Sequence, residues 1–354
     1  MTAADTQPDA VTAADRSSAV VAIDDLVVDY SGAHGNVRAL DGASLRVAPG
    51  ERLAVVGESG SGKSTLGAVI GRLLAPAARI GAGRVEVDGR PVLDLGDREL
   101  RTLRRETLGF IAQDPISALD PTMRIGRQLA LATGAGRGRA ARQRMAELLD
   151  RVQIPEPERV LRLFPHQVSG GMAQRVVVAM AMARRPRVLV ADEPTAALDT
   201  QVRDEVLRLL FAMSSEAGTA VIWLSHDLGS VSRWCERTAV MYGGRVVEDG
   251  PTADVLADGA HPYTAGLAAS DPRRSVLGER LRPITGSPPV LTGPPPGCAF
   301  VDRCHLAVAP CADVRPEPVR IGPHHTAACH RAAEVHAGTA AATPAVESPA
   351  VGGL

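Results

Sequence analysis

Nine consecutive residues, Gly57-Glu58-Ser59-Gly60-Ser61-Gly62-Lys63-Ser64-Thr65, combine three glycines, a lysine and two adjacent hydroxyls. They satisfy the pattern G-x-x-x-x-G-K-[ST], whose chemistry is phosphate binding. Glycines let successive backbone N–H groups curl around an anion, and a helix starting at the lysine adds its positive dipole end. Lys63 is expected to reach the β- and γ-phosphates of ATP, and the Ser64 hydroxyl to enter the shell of a Mg²⁺ ion. Lys63 is also the only lysine in the chain, the other 38 basic residues being arginine. Such a bias points to a site that needs a compact point charge instead of a planar fork.

A second set of groups lies about 130 residues on. Val188-Leu189-Val190-Ala191-Asp192-Glu193 is an apolar run ending in two acids. Carboxylates at the carboxyl end of a buried strand stand beside the ligand crevice of an open α/β sheet. Asp192 is expected to hold the Mg²⁺ shell and Glu193 to act as general base on the attacking water. His226, in Ser225-His226-Asp227, follows another apolar run and could touch the γ-phosphate or orient the base.

These groups need strands and helices to hold them. Val21–Tyr30 and Ala43–Val47 alternate as strands do, and Arg52–Val56 is a short apolar strand leading into the glycine-rich turn. An amphipathic helix is expected from Lys63 to about Leu74, and helical patterning dominates residues 114–184, clearest over Arg142–Arg151. Val188–Ala191 and Ala220–Leu224 read as buried strands, and Thr238–Tyr242 and Arg245–Glu248 as further strands. The expected fold class is α/β, and four segments are expected. Residues 1–20 and 335–354, rich in Ala, Thr, Pro and Gly, read as disordered tails, flanking a nucleotide-binding domain over 21–265 and a Cys-rich region over 266–334.

Ser169-Gly170-Gly171-Met172-Ala173-Gln174-Arg175 opens a helical run with donors at its N-terminus. At this point residues 21–265 resemble the nucleotide-binding subunits of ABC transporters. The resemblance implies a P-loop ATPase core with antiparallel β and helical subdomains. It makes Ser169, Gly170 and Gly171 a signature that binds ATP held by the opposite subunit. It further implies Tyr30 stacking on adenine, Gln113 as the Q-loop residue near the Mg²⁺ ion, Ala196–Asp199 as the D-loop and His226 as the switch histidine. Met172 stands where many members carry Gln, and Ala196 where Ser is common; neither change removes a catalytic group. Asp114-Pro115 would lie where a membrane partner docks.

Cys298, Cys304, Cys311 and Cys329 fall in a proline-rich segment with little apolar material for a core. A metal centre is a natural stabiliser there, as Zn²⁺ or an iron–sulfur cluster, since either takes four thiolates. Nearby His305, His324, His325 and His330 leave mixed zinc ligation open, and unbound thiols are the alternative; Cys235 reads as a packing residue. With Gln113–Pro121, His261-Pro262-Tyr263-Thr264 and Gly286-Ser287-Pro288-Pro289, the cysteine run extends the resemblance to about residue 331. It is similar to the oligopeptide/dipeptide (peptide/nickel) importer ATPases, and Ala78–Val85 to their D-type subunit. That resemblance favours a [4Fe–4S] cluster. It also implies a second ATPase subunit (a paralogue or a copy), two transmembrane permeases and an extracellular substrate-binding protein.

Composition sets bounds. Formal net charge is −1 and 22% of residues are charged, which gives no basic surplus for a nucleic acid. The basic stretch 137–144 reads as a solvated face. The longest apolar run, Val176–Ala183, is far below the roughly 20 residues of a membrane span, and residues 1–20 show no signal-peptide core. A cytoplasmic chain is therefore expected, and the resemblance to importer ATPases implies a peripheral position on the cytoplasmic face of the membrane. Two competing classes are a soluble ABC ATPase of translation or DNA repair and a metal- or redox-sensing protein regulated by ATP. The first usually carries two cassettes or a long coiled-coil insertion, neither of which is present here.

Overall fold

The computed structural model describes residues 19–32, 35–114, 117–136, 138–195, 199–271 and 283–340. Its strands are β1 (Val21–Gly32), β2 (Gly35–Val47), β3 (Arg52–Val56), β4 (Ala78–Val87), β5 (Arg90–Pro91), β6 (Leu108–Ile111), β7 (Val188–Asp192), β8 (Ala220–Ser225), β9 (Arg237–Tyr242), β10 (Arg245–Pro251), β11 (Val319–Gly322) and β12 (His325–Ala327). The first half contains helices α1 (Lys63–Ile70), α2 (Asp97–Glu106), α3 (Ile125–Thr133), α4 (Arg139–Arg151), α5 (Pro157–Val160) and α6 (Gly170–Met182). Then come α7 (Thr200–Ala217), α8 (Leu228–Trp234), α9 (Thr252–Ala257), α10 (Pro262–Ala269), α11 (Pro310–Asp313) and α12 (Ala332–His336).

Two sheets result: a four-stranded antiparallel one, ordered β2-β1-β4-β5, and an eight-stranded one, ordered β11-β12-β10-β9-β3-β8-β7-β6. Strands β6, β7, β8, β3 and β9 run parallel to one another, and β10 then pairs antiparallel with β9. Apolar residues fill both faces of β3, β7 and β8 because both faces are covered. Leu53, Val55, Val188, Val190, Ile222 and Leu224 point into a core shared with α1 and the small sheet. Ala54, Val56, Leu189, Ala191, Val221 and Trp223 point the other way, into a core built with α3, α4, α6 and α7. Because β3, β6, β7 and β8 are parallel, the polar residues that follow their carboxyl ends open on one crevice.

The helical stretch expected over 114–184 contains α3 to α6, and its basic face is solvated: Arg142 on α4 pairs with Glu158. Helix α1 is shorter than expected, ending at Ile70 instead of Leu74. Gly71 follows, and Arg72 adopts φ 50° while its guanidinium donates to the carbonyls of Leu93 and Leu95. The Cys-rich region is fastened into the large sheet, since Glu248 and Asp249 on β10 pair with Ala327 and Thr326 on β12. Helix α12 crosses residue 335, where a tail was expected to begin, and residues 1–18 and 341–354 lie outside the described residues. No described helix is long and apolar enough to cross a membrane.

Candidate nucleotide site

Strand β3 ends at Val56 and α1 begins at Lys63, so the glycine-rich turn between them opens at a helix N-terminus. Gly57 and Gly62 have φ of 158° and 102°. A Cβ on Gly62 would sit 2.5 Å from the Ala39 carbonyl oxygen, so this position excludes every other residue. Lys63 is buried, its Nζ donating to the carbonyls of Gly57 at 2.7 Å and Glu58 at 2.9 Å. Burial lowers its pKa, while the charges of Glu193, Asp192 and Glu58 act against that shift. The ammonium is thus stored among carbonyls, ready to exchange them for phosphate oxygens.

Asp192 ends β7, and its carboxyl accepts a hydrogen bond from Ser64. Its Oδ1 is buried with no hydrogen-bond partner, and burial raises its pKa, with Glu193 adding to the effect. An orphaned carboxylate oxygen beside a serine hydroxyl is a donor set that fits Mg²⁺. Glu193, one residue on, takes φ 44°, an uncommon conformation for a non-glycine residue, and its N–H donates to the Leu224 carbonyl on β8. That turn aims its carboxylate between two groups: Oε2 accepts from Gln113 Nε2 at 3.1 Å, and Oε1 lies 2.8 Å from His226 Nδ1. Four separate strand ends thereby bring Lys63, Gln113, Asp192–Glu193 and His226 together.

An open cleft of about 490 Å³ fronts these groups, lined by Ser59, Gly60, Gly62, Lys63, Ser64, Thr65, Gln113 and Glu193. Tyr30 stands at its rim: it pairs across the sheet with Val37, which lines the cleft, and its hydroxyl lies 3.5 Å from Thr65 Oγ1. Signature residues Ser169, Gly170 and Gly171 do not line this cleft. Ser169 caps α6 by accepting from the Met172 N–H at 3.3 Å, and a Cβ on Gly170 would meet only open space. Asp199 caps α7, whereas Ala196 to Leu198 and Pro115 lie outside the described residues.

Two parts of the site had no signal in the sequence patterning. Pro288, Pro289, Val290 and Leu291 form one wall of the cleft, fixed by a backbone bond from Arg38 N–H to the Leu291 carbonyl at 2.7 Å. Arg303 grips Glu58 within the phosphate loop at 2.7 Å. Both lie more than 200 residues from the loop, and only the GSPP and cysteine motifs drew attention to that stretch.

The four clustered cysteines do come into one neighbourhood, with the Cys298 N–H donating to the Cys311 carbonyl at 2.8 Å. Burial pushes the thiols of Cys304 and Cys329 up to about 11, and the other cysteines would add repulsion. Among the described residues no set of three or more His, Cys, Asp or Glu side chains is arranged to hold a metal ion. The expected [4Fe–4S] or zinc centre therefore has no ready ligand set here. Cys235, as expected, is a buried packing residue.

A phosphate loop at the end of β3, a histidine after the neighbouring strand β8 and an acid pair at the end of β7 beyond it define a P-loop nucleotide-binding protein. A family model for the ABC transporter matches residues 40–196, and one for the oligopeptide/dipeptide transporter C-terminal region matches 247–311. A probable peptide ABC transporter ATP-binding protein of Sinorhizobium fredii is 42% identical over 88% of this chain and 94% of its own. The oligopeptide transport ATP-binding protein OppD of Salmonella typhimurium is 41% identical over 85% of this chain and 90% of its own. OppD of Mycobacterium bovis is 43% identical over 89% of this chain, which spans about half (52%) of that relative's length. Among solved structures, the ATP-binding cassette MJ0796, a dimer bound to ADP and Pi, is 31% identical with a TM-score of 0.58, covering 66% of this chain and 98% of that one. The chain belongs to the ABC transporter family, among the oligopeptide/dipeptide transport ATP-binding proteins.

Proposed function

We propose that this chain binds Mg·ATP at the Lys63 loop and hydrolyses it to energise import of peptides or related small solutes. The observation that carries the reading is the double grip on Glu193. Gln113 and His226 hold both carboxylate oxygens beside Lys63 and the orphaned Asp192 oxygen. Ser64, Asp192 and Gln113 would hold Mg²⁺, which neutralises phosphate charge when bound. Glu193 then takes a proton from the attacking water, His226 orients it, and Lys63 leaves its carbonyls for the β- and γ-phosphates.

Because Ser169–Gly171 lie away from the cleft of their own chain, they are free to cover the ATP of another subunit. The active unit is then a dimer, with a copy or a paralogue, docked on two permeases at the cytoplasmic face of the membrane. An extracellular binding protein selects the solute. The test is affinity purification from membranes: permeases that co-purify and an ATPase stimulated by the loaded binding protein support this reading. A chain recovered only in soluble complexes would sink it.

The cysteine segment is the subject of a separate reading, a [4Fe–4S] cluster or Zn²⁺ on Cys298, Cys304, Cys311 and Cys329. Its support is the gathering of four thiols in one short region, and it requires them to rearrange. Protein purified without oxygen should contain iron and sulfide and absorb visible light; metal-free protein of full stability would refute any centre.

A further inference from the structure

Arg303 lies between Cys298 and Cys304, 245 residues from the loop it touches, and its side chain is only 6% exposed. Nη1 donates to Glu58 Oε2 at 2.7 Å and to the Tyr242 hydroxyl at 3.3 Å. Nη2 donates to Glu58 Oε1 at 3.1 Å and the Gly286 carbonyl at 3.3 Å, and Nε donates to the Thr285 carbonyl at 2.8 Å. All five guanidinium N–H groups are therefore used, two of them in a bidentate grip on one carboxylate. The Arg303 guanidinium also lies over the rings of Tyr242 and Phe300. This is a built socket.

Glu58 is the first residue after Gly57 in the phosphate loop. Its N–H donates to the Tyr263 hydroxyl at 2.8 Å, and its carbonyl accepts from Lys63 Nζ at 2.9 Å. An acid in a loop that must receive a polyphosphate is a liability, because an unpaired carboxylate there repels the incoming anion. Nothing in the loop itself offsets that charge except Lys63, which the phosphates need. The compensating cation comes from the far end of the chain.

We propose that Arg303 is a positioning residue for nucleotide binding, which neutralises Glu58 and fixes the phosphate loop in its receptive form. The C-terminal region is then a working part of the ATP site in the same chain. This inference rests on the reading of the Lys63 loop as an ATP site.

The two partners of the ion pair make opposite predictions, which a purely structural link would not. Arg303→Gln leaves the carboxylate unpaired and should weaken Mg·ATP binding about tenfold, the scale of one unit charge near an anion at a partly wet site. Glu58→Gln leaves the guanidinium unpaired and should tighten binding about threefold. The double substitution should recover most of the loss. Titration calorimetry of the full chain with Mg·ATP reads all three, and Lys63→Ala is the control. If Lys63→Ala binds like the parent, the ATP-site reading itself fails. If Lys63→Ala abolishes binding but Arg303→Gln does not weaken it, or the double variant is no better than Arg303→Gln, the Arg303 role is overturned. Should Arg303→Gln fail to fold, Glu58→Gln still decides: weaker binding refutes the proposal and tighter binding supports it.

Discussion

Glu193→Gln separates chemistry from binding in this site. Both carboxylate oxygens already have partners, Gln113 Nε2 at 3.1 Å and His226 Nδ1 at 2.8 Å. An amide has the same shape: its oxygen can accept from Gln113 while its N–H donates to a neutral His226. The strained turn at Glu193, φ 44°, is tolerated by either residue alike. Geometry is therefore kept and basicity removed. A positioned general base is worth about 10²–10⁴ in rate, so kcat should fall by at least ~100-fold, or ~3 kcal/mol of barrier. Affinity should move the other way. The Glu193 charge acts on Lys63 more strongly than those of Asp192 and Glu58, and losing it removes a carboxylate from the approach of the γ-phosphate. Phosphate release and size-exclusion chromatography of the ATP-loaded protein are the assays. The variant should hold uncleaved ATP, in a dimer that the parent forms only transiently. Turnover within threefold of the parent would refute Glu193 as the base, whatever happened to affinity.

Lys63→Arg should weaken ATP binding by roughly tenfold to hundredfold, since forcing a larger head group into this buried cage of loop carbonyls costs about 1–3 kcal/mol; parental affinity in calorimetry would show that the lone lysine is chance. Gly62→Ala should abolish ATP binding, because its Cβ would lie 2.5 Å from the Ala39 carbonyl oxygen and 2.9 Å from Leu40 Cδ2 at φ 102°; a variant that still binds refutes that close approach. His261 predicts acid sensitivity. Burial lowers its pKa to about 4 from 6.5, so the unfolded chain binds more protons and stability falls as pH drops from about 6.5 to 4, by up to ~3 kcal/mol. His325 works in the opposite sense: its bond to Glu248 raises its pKa, so its contribution is complete below 6.5 and fades as pH climbs through the raised value. Urea melts at pH 7 and 5 should therefore show a smaller acid loss for His261→Asn, which keeps the cap on the Tyr263 N–H; equal losses would rule out His261 as the source.

Local motifs were legible where a short run of sequence also forms a complete physical unit. The loop from Gly57 to Thr65 carries its own glycines, cation and hydroxyl, and the apolar runs of β3, β7 and β8 announce strands buried on both faces. Strand β4 gave no such signal. Over Ala78–Val87 only Val85 and Val87 are buried, so the period of two that marks a half-buried strand is missing, and backbone pairing to β1 decides its conformation. The early end of α1 was hidden for a related reason: Arg72 turns to φ 50° to reach carbonyls at 93 and 95, partners that helical periodicity cannot reveal.

Less legible still was the boundary drawn near residue 265, which follows a real change in composition but no mechanical break. Strand β12 adds to β10, and the buried Glu248 carboxylate accepts from the N–H groups of Ala260 and His261 while pairing with His325. A buried acid satisfied from three directions holds its surroundings rigidly, because removing any partner leaves a costly orphan. From that anchor the chain before β12 runs back over the cleft, where Leu291 bonds to Arg38 and Arg303 grips Glu58. Composition reports how a segment stabilises itself; it does not report what the segment leans on. A region poor in aliphatic residues borrows rigidity from the sheet it joins. The ATP site in turn takes from that region one wall and one compensating charge, so truncation after residue 265 should remove a working piece of the nucleotide site along with the cysteines.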